Sequence, residues 1–130
     1  MREQILQALP SLVVGEEIAC ADAHDLAARL GVAPIEVGQA VDTTHYRFFR
    51  CQMGLFGYGL KSEGKSKIVL AATNVPDDLR AAIASRASDG HISCLATWEI
   101  AAQFKYPRLG VANVTESMGL RIKPCQLGCF

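Results

Sequence analysis

Five cysteines, Cys20, Cys51, Cys94, Cys125 and Cys129, are the residues of this 130-residue chain best suited to chemistry. Thiolates hold zinc tetrahedrally or bind iron–sulfur clusters, and the Cys125-x-x-x-Cys129 spacing resembles a metal knuckle. All five, with His24 or His91 nearby in sequence, are therefore candidate ligands for zinc or an iron–sulfur cluster. Yet neither Cys20 nor Cys94 belongs to a Cys-x-x-Cys pair, and free cysteine commonly packs as a small buried hydrophobe. Residue type alone favours core cysteines and no resident cofactor. Cys129 stands apart as a thiol that could be reactive, join a metal with Cys125, or be capped by a partner.

Other catalytic signals are sparse. His24, His45 and His91 are scattered, and the chain carries neither a glycine-rich phosphate loop nor a paired-carboxylate pattern. Trp98 suits the core or a docking contact. No enzymatic activity is expected.

The cysteines recur because longer stretches recur. Residues 2–56 align without a gap with residues 76–130, each position 74 ahead of its counterpart. The alignment pairs Cys20 with Cys94, Ala27-Ala28 with Ala101-Ala102, Val37 with Val111 and Arg47 with Arg121. It closes on Arg50-Cys-Gln-Met-Gly-Leu-Phe56 against Pro124-Cys-Gln-Leu-Gly-Cys-Phe130. Cys129 is the one cysteine without a counterpart, Leu55 standing at that place. Chance supplies alanines in an alanine-rich chain but not this cysteine spacing, so an internal duplication is expected.

Each unit must position its cysteines with a few short elements. Apolar residues at helical spacing in REQILQALPSL, and Pro76 with two aspartates opening PDDLRAAIASR, predict a first helix. A short extended piece follows, EEIAC or GHISC. ADAHDLAARLG then reads as a second helix ended by Gly31, and PIEVGQAVDTT as a third with Val37, Ala40 and Val41 inward. The aromatic run YRFFRC is strand-like. Cys20 thus falls at the end of the first strand and Cys51 on the second, and pairing of the strands would make their sulfurs neighbours.

The pattern LAARLGVAPIEVGQAV, with a helix and short strand before it and strand-like residues after it, resembles the winged-helix family of helix-turn-helix proteins. It is similar to the N-terminal domain of molybdate-responsive repressors and to small prokaryotic proteins ending in CQLGxFG. The resemblance implies a DNA-contacting third helix and a hairpin wing. The expected fold is mainly α with short β hairpins, in two winged-helix-like units. These are residues 1–56, a wing hairpin and linker over 57–75, and residues 76–130, which lack a wing. The units are expected to pack by their first helices or short sheets.

On that scaffold the candidate DNA contacts are Gln39 and Thr43 on the first recognition helix, Arg108, Asn113 and Ser117 on the second, and Lys61, Lys65 and Lys67 on the wing. Glu36 and Asp42 would repel phosphate. Lysine plus arginine and aspartate plus glutamate balance at 13 each, so no basic excess draws the chain to nucleic acid. Dimerisation would be needed to double the contacts. The leading expectation is a transcription-regulating protein that binds duplex DNA; the alternative is a protein-interaction or assembly module on the same fold, with or without a cysteine-based metal or redox site. The first residues lack the pattern of a secretory signal and no stretch offers the roughly 20 apolar residues of a membrane span, so a cytoplasmic protein is expected.

Overall fold

The computed structural model describes residues 1–58 and 67–130, and these form a mainly helical protein with a few short strands. The first half runs α1 (Arg2–Ala8), a 3-10 turn (Leu9–Ser11), β1 (Glu17–Ala19), α2 (Cys20–Leu30), α3 (Pro34–Asp42) and β2 (Arg47–Phe49). The second repeats the order with α4 (Asp77–Arg86), β3 (His91–Ile92), α5 (Cys94–Phe104), α6 (Arg108–Ser117) and β4 (Arg121–Ile122). No described helix is long and apolar enough to cross a membrane.

The elements form where their chemistry asks. α2 ends at Gly31, whose φ of 68° closes the helix in the left-handed region that glycine enters without steric cost. At the start of α3 the Glu36 carboxylate accepts from the Ala33 N–H at 3.0 Å, satisfying one of the donors a helix start leaves free. Ser93 does the same for α5, its hydroxyl accepting from the Ala96 N–H at 3.0 Å.

Strand pairing departs from a hairpin arrangement. β1 pairs with β2 in parallel, Ile18 opposite Phe48, and β3 pairs with β4 in parallel, Ile92 opposite Ile122. Two helices connect the strands of each pair, the long crossover that parallel pairing demands. Cys20 and Cys94 begin α2 and α5 rather than ending the strands before them.

The expected wing over 57–75 is also corrected in its described part, since residues 67–75 contain no strand. Their backbone donors are used elsewhere: the Ile68 N–H bonds to the Gly54 carbonyl, and the Ala72 N–H to that of Asn113. A partner strand therefore has no free donors to claim at those positions. Lys61 and Lys65 lie outside the described residues.

Two apolar cores form, and each borrows from the opposite half. Ile5, Leu9, Ile18, Leu26, Val37 and Val41 surround Leu127. Ile83, Ile92, Ile100, Val111 and Val114 share the other core with Cys51 and Met53. The two Cys-Gln-apolar-Gly loops are thus exchanged, each plugging the core of the other half. Neither the first helices nor the sheets join the halves as expected, because their apolar faces are spent inside their own half; the extensive helix packing is all within halves.

Gly38 makes one exchange possible. A methyl group there would lie 1.8 Å from the Leu127 carbonyl oxygen, so only glycine lets that backbone rest on α3. Gly38→Ala is expected to cost about 1–3 kcal/mol of overpacking. Leu127→Ala should cost about 2–5 kcal/mol. Because both disturb one docking event, the double variant should lose less than the sum in a denaturant titration. Full additivity would show that the loop is not seated on Gly38.

Candidate functional site

The loop exchange brings counterpart residues face to face. The rings of His24 and Trp98, 74 positions apart, have centroids 4.3 Å apart, and Phe56 meets Phe130 edge to face at 6.0 Å. Between these pairs lies a void of about 10 Å³, lined by Cys20, Cys51, Cys94, Cys125, His24 and Trp98 among others. That is barely the room of one water. The four cysteines that recur between the halves thus converge on a single closed spot.

Their environments divide them. Burial raises the thiols of Cys20, to about 11, and of Cys51 and Cys94, so all three stay protonated near neutrality. The amides of Gln52 and Gln126 approach the sulfurs of Cys20 and Cys94 at 3.9 and 3.4 Å. Cys125 is the exception. The Cys129 thiol donates to its sulfur, with the backbone N–H groups of Cys129, Leu127 and Gly128 helping, and its value falls to about 6. The Leu127 nitrogen lies 3.4 Å from the Cys125 sulfur. Cys129, the donor, is held above its ordinary value.

A metal centre on Cys20, Cys51, Cys94, Cys125 and Cys129 finds no such arrangement. Among the described residues, no group of three or more His, Cys, Asp or Glu side chains is placed to hold a metal ion. His91 belongs to β3, and His45 stands 3.7 Å from Glu16 on an exposed surface.

Several of the described candidate DNA contacts are engaged by groups of the protein itself. Gln39 on α3 and Thr43 just past its end are exposed, but so are Glu36 and Asp42, and the Thr43 hydroxyl is turned back to the Ala40 carbonyl at 2.7 Å. On α6, Arg108 lies over the Trp98 ring, 3.5 Å from its centroid, and bonds to the Gln52 side chain. The Ser117 hydroxyl donates to the Val114 carbonyl at 2.6 Å. Lys67 pairs with Glu116 at 3.3 Å.

Asn113 reveals a feature that residue types did not advertise. Its side-chain oxygen accepts from the Leu70 N–H at 2.9 Å, and its carbonyl accepts from the Ala72 N–H at 3.0 Å. With Ile68 and Val69 packed on Gly54 beside Leu109, the segment from Lys67 to Ala72 lies against α6. The counterpart positions on the other half are Ile35, Gln39, Asp42 and Gly128, where Ile35 touches the Gly128 position. All four are exposed, Ile35 by 40%. The signal in the sequence for these exposed positions is the 74-residue correspondence.

Comparison of the chain with protein-family models, curated proteins and solved structures finds no match.

His24 supplies a pH test of this centre. Burial, then the Arg108 guanidinium, lowers it below its ordinary 6.5, so the folded chain holds it neutral. The unfolded chain binds that proton first as pH falls; the contribution to stability is complete above about 6.5 and is lost on acidification toward the folded value. The imidazole NMR midpoint should lie below 6.5 and rise in Arg108→Ala. Denaturant titrations between pH 7 and about pH 5 should show a smaller acid loss in His24→Phe than in the parent.

Proposed function

We propose that this chain is a protein-interaction module made of two copies of one helix-turn-helix unit of winged-helix type, and that its working surface is the open groove of α3. Duplication is supported by the shared element order, the constant 74-residue spacing and the mutual exchange of the two Cys-Gln-apolar-Gly loops. The observation that carries the functional reading is the contrast between counterpart grooves. The one on α6 is filled by Lys67–Ala72, whereas Ile35, Gln39, Asp42 and Gly128 on the α3 side stand exposed.

The filled groove specifies what the open one should take. Where Asn113 accepts a backbone N–H, Gln39 offers an amide oxygen; where Glu116 pairs with Lys67, Asp42 offers a carboxylate. Ile35 and Gly128 replace Leu109 and Gly54 as the apolar seat. The fitting occupant is an extended peptide segment with a lysine followed by branched aliphatic residues, a form of recognition in which backbone hydrogen bonds supply affinity and side-chain pockets supply choice. Duplex DNA fits less well. Glu36 and Asp42 face where phosphates would run, and affinity for DNA rests on neutralising phosphate.

A synthetic Lys-Ile-Val-Leu-Ala-Ala-Thr peptide, matching Lys67–Thr73, tests the reading by fluorescence anisotropy and NMR. Saturable binding is expected, with shifts centred on Ile35, Gln39 and Asp42. Ile35→Asp or Asp42→Lys should weaken it about tenfold, equal to about 1.4 kcal/mol. Absence of binding, or shifts confined to α6, would overturn the proposal. Steeply salt-dependent binding to duplex DNA through the same residues would replace it with DNA recognition.

A further inference from the structure

Beside the C-terminal end of α6, Leu55, Phe56, Leu120, Ile122 and Phe130 line an open cavity of about 750 Å³ among the described residues. That volume is within the roughly 300–1,000 Å³ of small-molecule sites, which join an apolar lining to a few polar groups. The room here goes with a difference between the halves. Gly119, Leu120, Ile122 and Lys123 stand where the first half has His45, Tyr46, Phe48 and Phe49, four ringed side chains. Tyr46 and Phe48 pack on the core of their own half, and the His45 ring lies 4.8 Å from that of Tyr46. At Gly119, by contrast, an added methyl group would meet nothing within 4 Å.

The charged groups of the cavity are mostly of one sign. Among the described residues Glu116 is its one acidic side chain, and Lys67 pairs with it at 3.3 Å. Arg121 and Lys123 also line the cavity, and no ion pair among the described residues holds either. Both are exposed, on either side of buried Ile122 in sequence. The backbone fixes where they start: the Arg121 N–H donates to the Gly90 carbonyl at 2.9 Å and the Lys123 N–H to that of Ile92 at 2.8 Å. Two cations beside an apolar hollow attract an anion that carries an apolar body.

We propose that this cavity is a binding site for a small amphipathic carboxylate. The apolar body lies against Leu55, Phe56, Leu120 and Ile122, with the edge-to-face pair of Phe56 and Phe130 as a rigid part of the wall. The carboxylate takes the rim, where Arg121 offers a planar fork of donors and Lys123 a point charge. Apolar burial supplies the affinity and the two cations choose the sign of the head group. Lys123, an aromatic residue in the first half, is the cation that belongs to this cavity alone of the two counterpart places. This inference does not rest on the peptide groove, which uses other residues.

The experiment uses the full chain with octanoate as the probe, followed by calorimetry and backbone amide NMR. Saturable binding is expected, with shifts centred on Leu55, Leu120, Ile122 and Lys123. Octanoate should bind more tightly than butanoate, because the longer chain takes more apolar surface out of water. Octyltrimethylammonium, the same chain with the opposite charge, should bind at least about tenfold more weakly. Arg121→Gln combined with Lys123→Gln should weaken octanoate about tenfold, the scale of two exposed charge contacts, and leave octanol unchanged. Leu120→Tyr, which installs the residue of the first half, should weaken octanoate and octanol alike. If Leu120→Tyr fails to fold by circular dichroism, the Arg121 and Lys123 variant still decides. Absence of saturable binding at millimolar octanoate, equal binding of the cationic chain, or shifts centred on Ile35, Gln39 and Asp42 would overturn the proposal.

Discussion

The whole arrangement depends on Leu127 entering the core of the half to which it does not belong in sequence, its backbone pressed on Gly38. Met53 makes the reciprocal insertion beside Thr97, whose hydroxyl lies 3.6 Å from the methionine sulfur. Halves of about 55 residues are marginal as independent domains because small chains bury too little of their surface. Exchanging one large apolar residue in each direction makes each core incomplete without the other. Local packing becomes mutual stability, and the two halves should unfold together.

The chemistry of the cysteines follows from that exchange. Carrying the loops to the centre brings Cys51 and Cys125 together with Cys20 and Cys94 and raises three of these thiols by burial. Proximity alone does not make a metal centre here: among the described residues no group of three or more His, Cys, Asp or Glu side chains is placed to hold a metal ion. Cys125 and Cys129 are less enclosed, the first half-buried and the second exposed. The two loops differ at Arg50 against Pro124, Met53 against Leu127 and Leu55 against Cys129.

Corresponding positions of the two halves also differ at the surface. α6 is crossed by the chain that links the halves, and its Asn113 and Glu116 are committed to holding that segment. α3 keeps the equivalent positions exposed, with acidic groups where a DNA-reading helix would want cations. In the proposed reading, the linker is both a tether and an internal example of the ligand that the free groove takes.

Much of the fold was legible before the structure. Helix spacing in ADAHDLAARLG, Gly31 as a stop and Pro34 as a start all describe local backbone preferences, which residues state directly. The mainly helical character follows from them. In the described part of the expected wing, IVLAATNV has strand-forming residues yet forms no strand, because propensity cannot say whether a strand partner or the flank of α6 will take the backbone donors. The site was legible only in pieces. Cysteine recurrence marked the central four, but Gly38, Gln39, Asp42 and Ile35 look unremarkable as single residues. By itself, then, the sequence determined the helices, their limits and the correspondence between halves, because these depend on neighbours a few positions away. Only the tertiary structure decided which core each loop enters, which thiols are shut in and which helix face is left open, because those outcomes depend on contacts between residues distant in sequence, such as Met53 with Thr97 and Leu70 with Asn113, 44 and 43 positions apart.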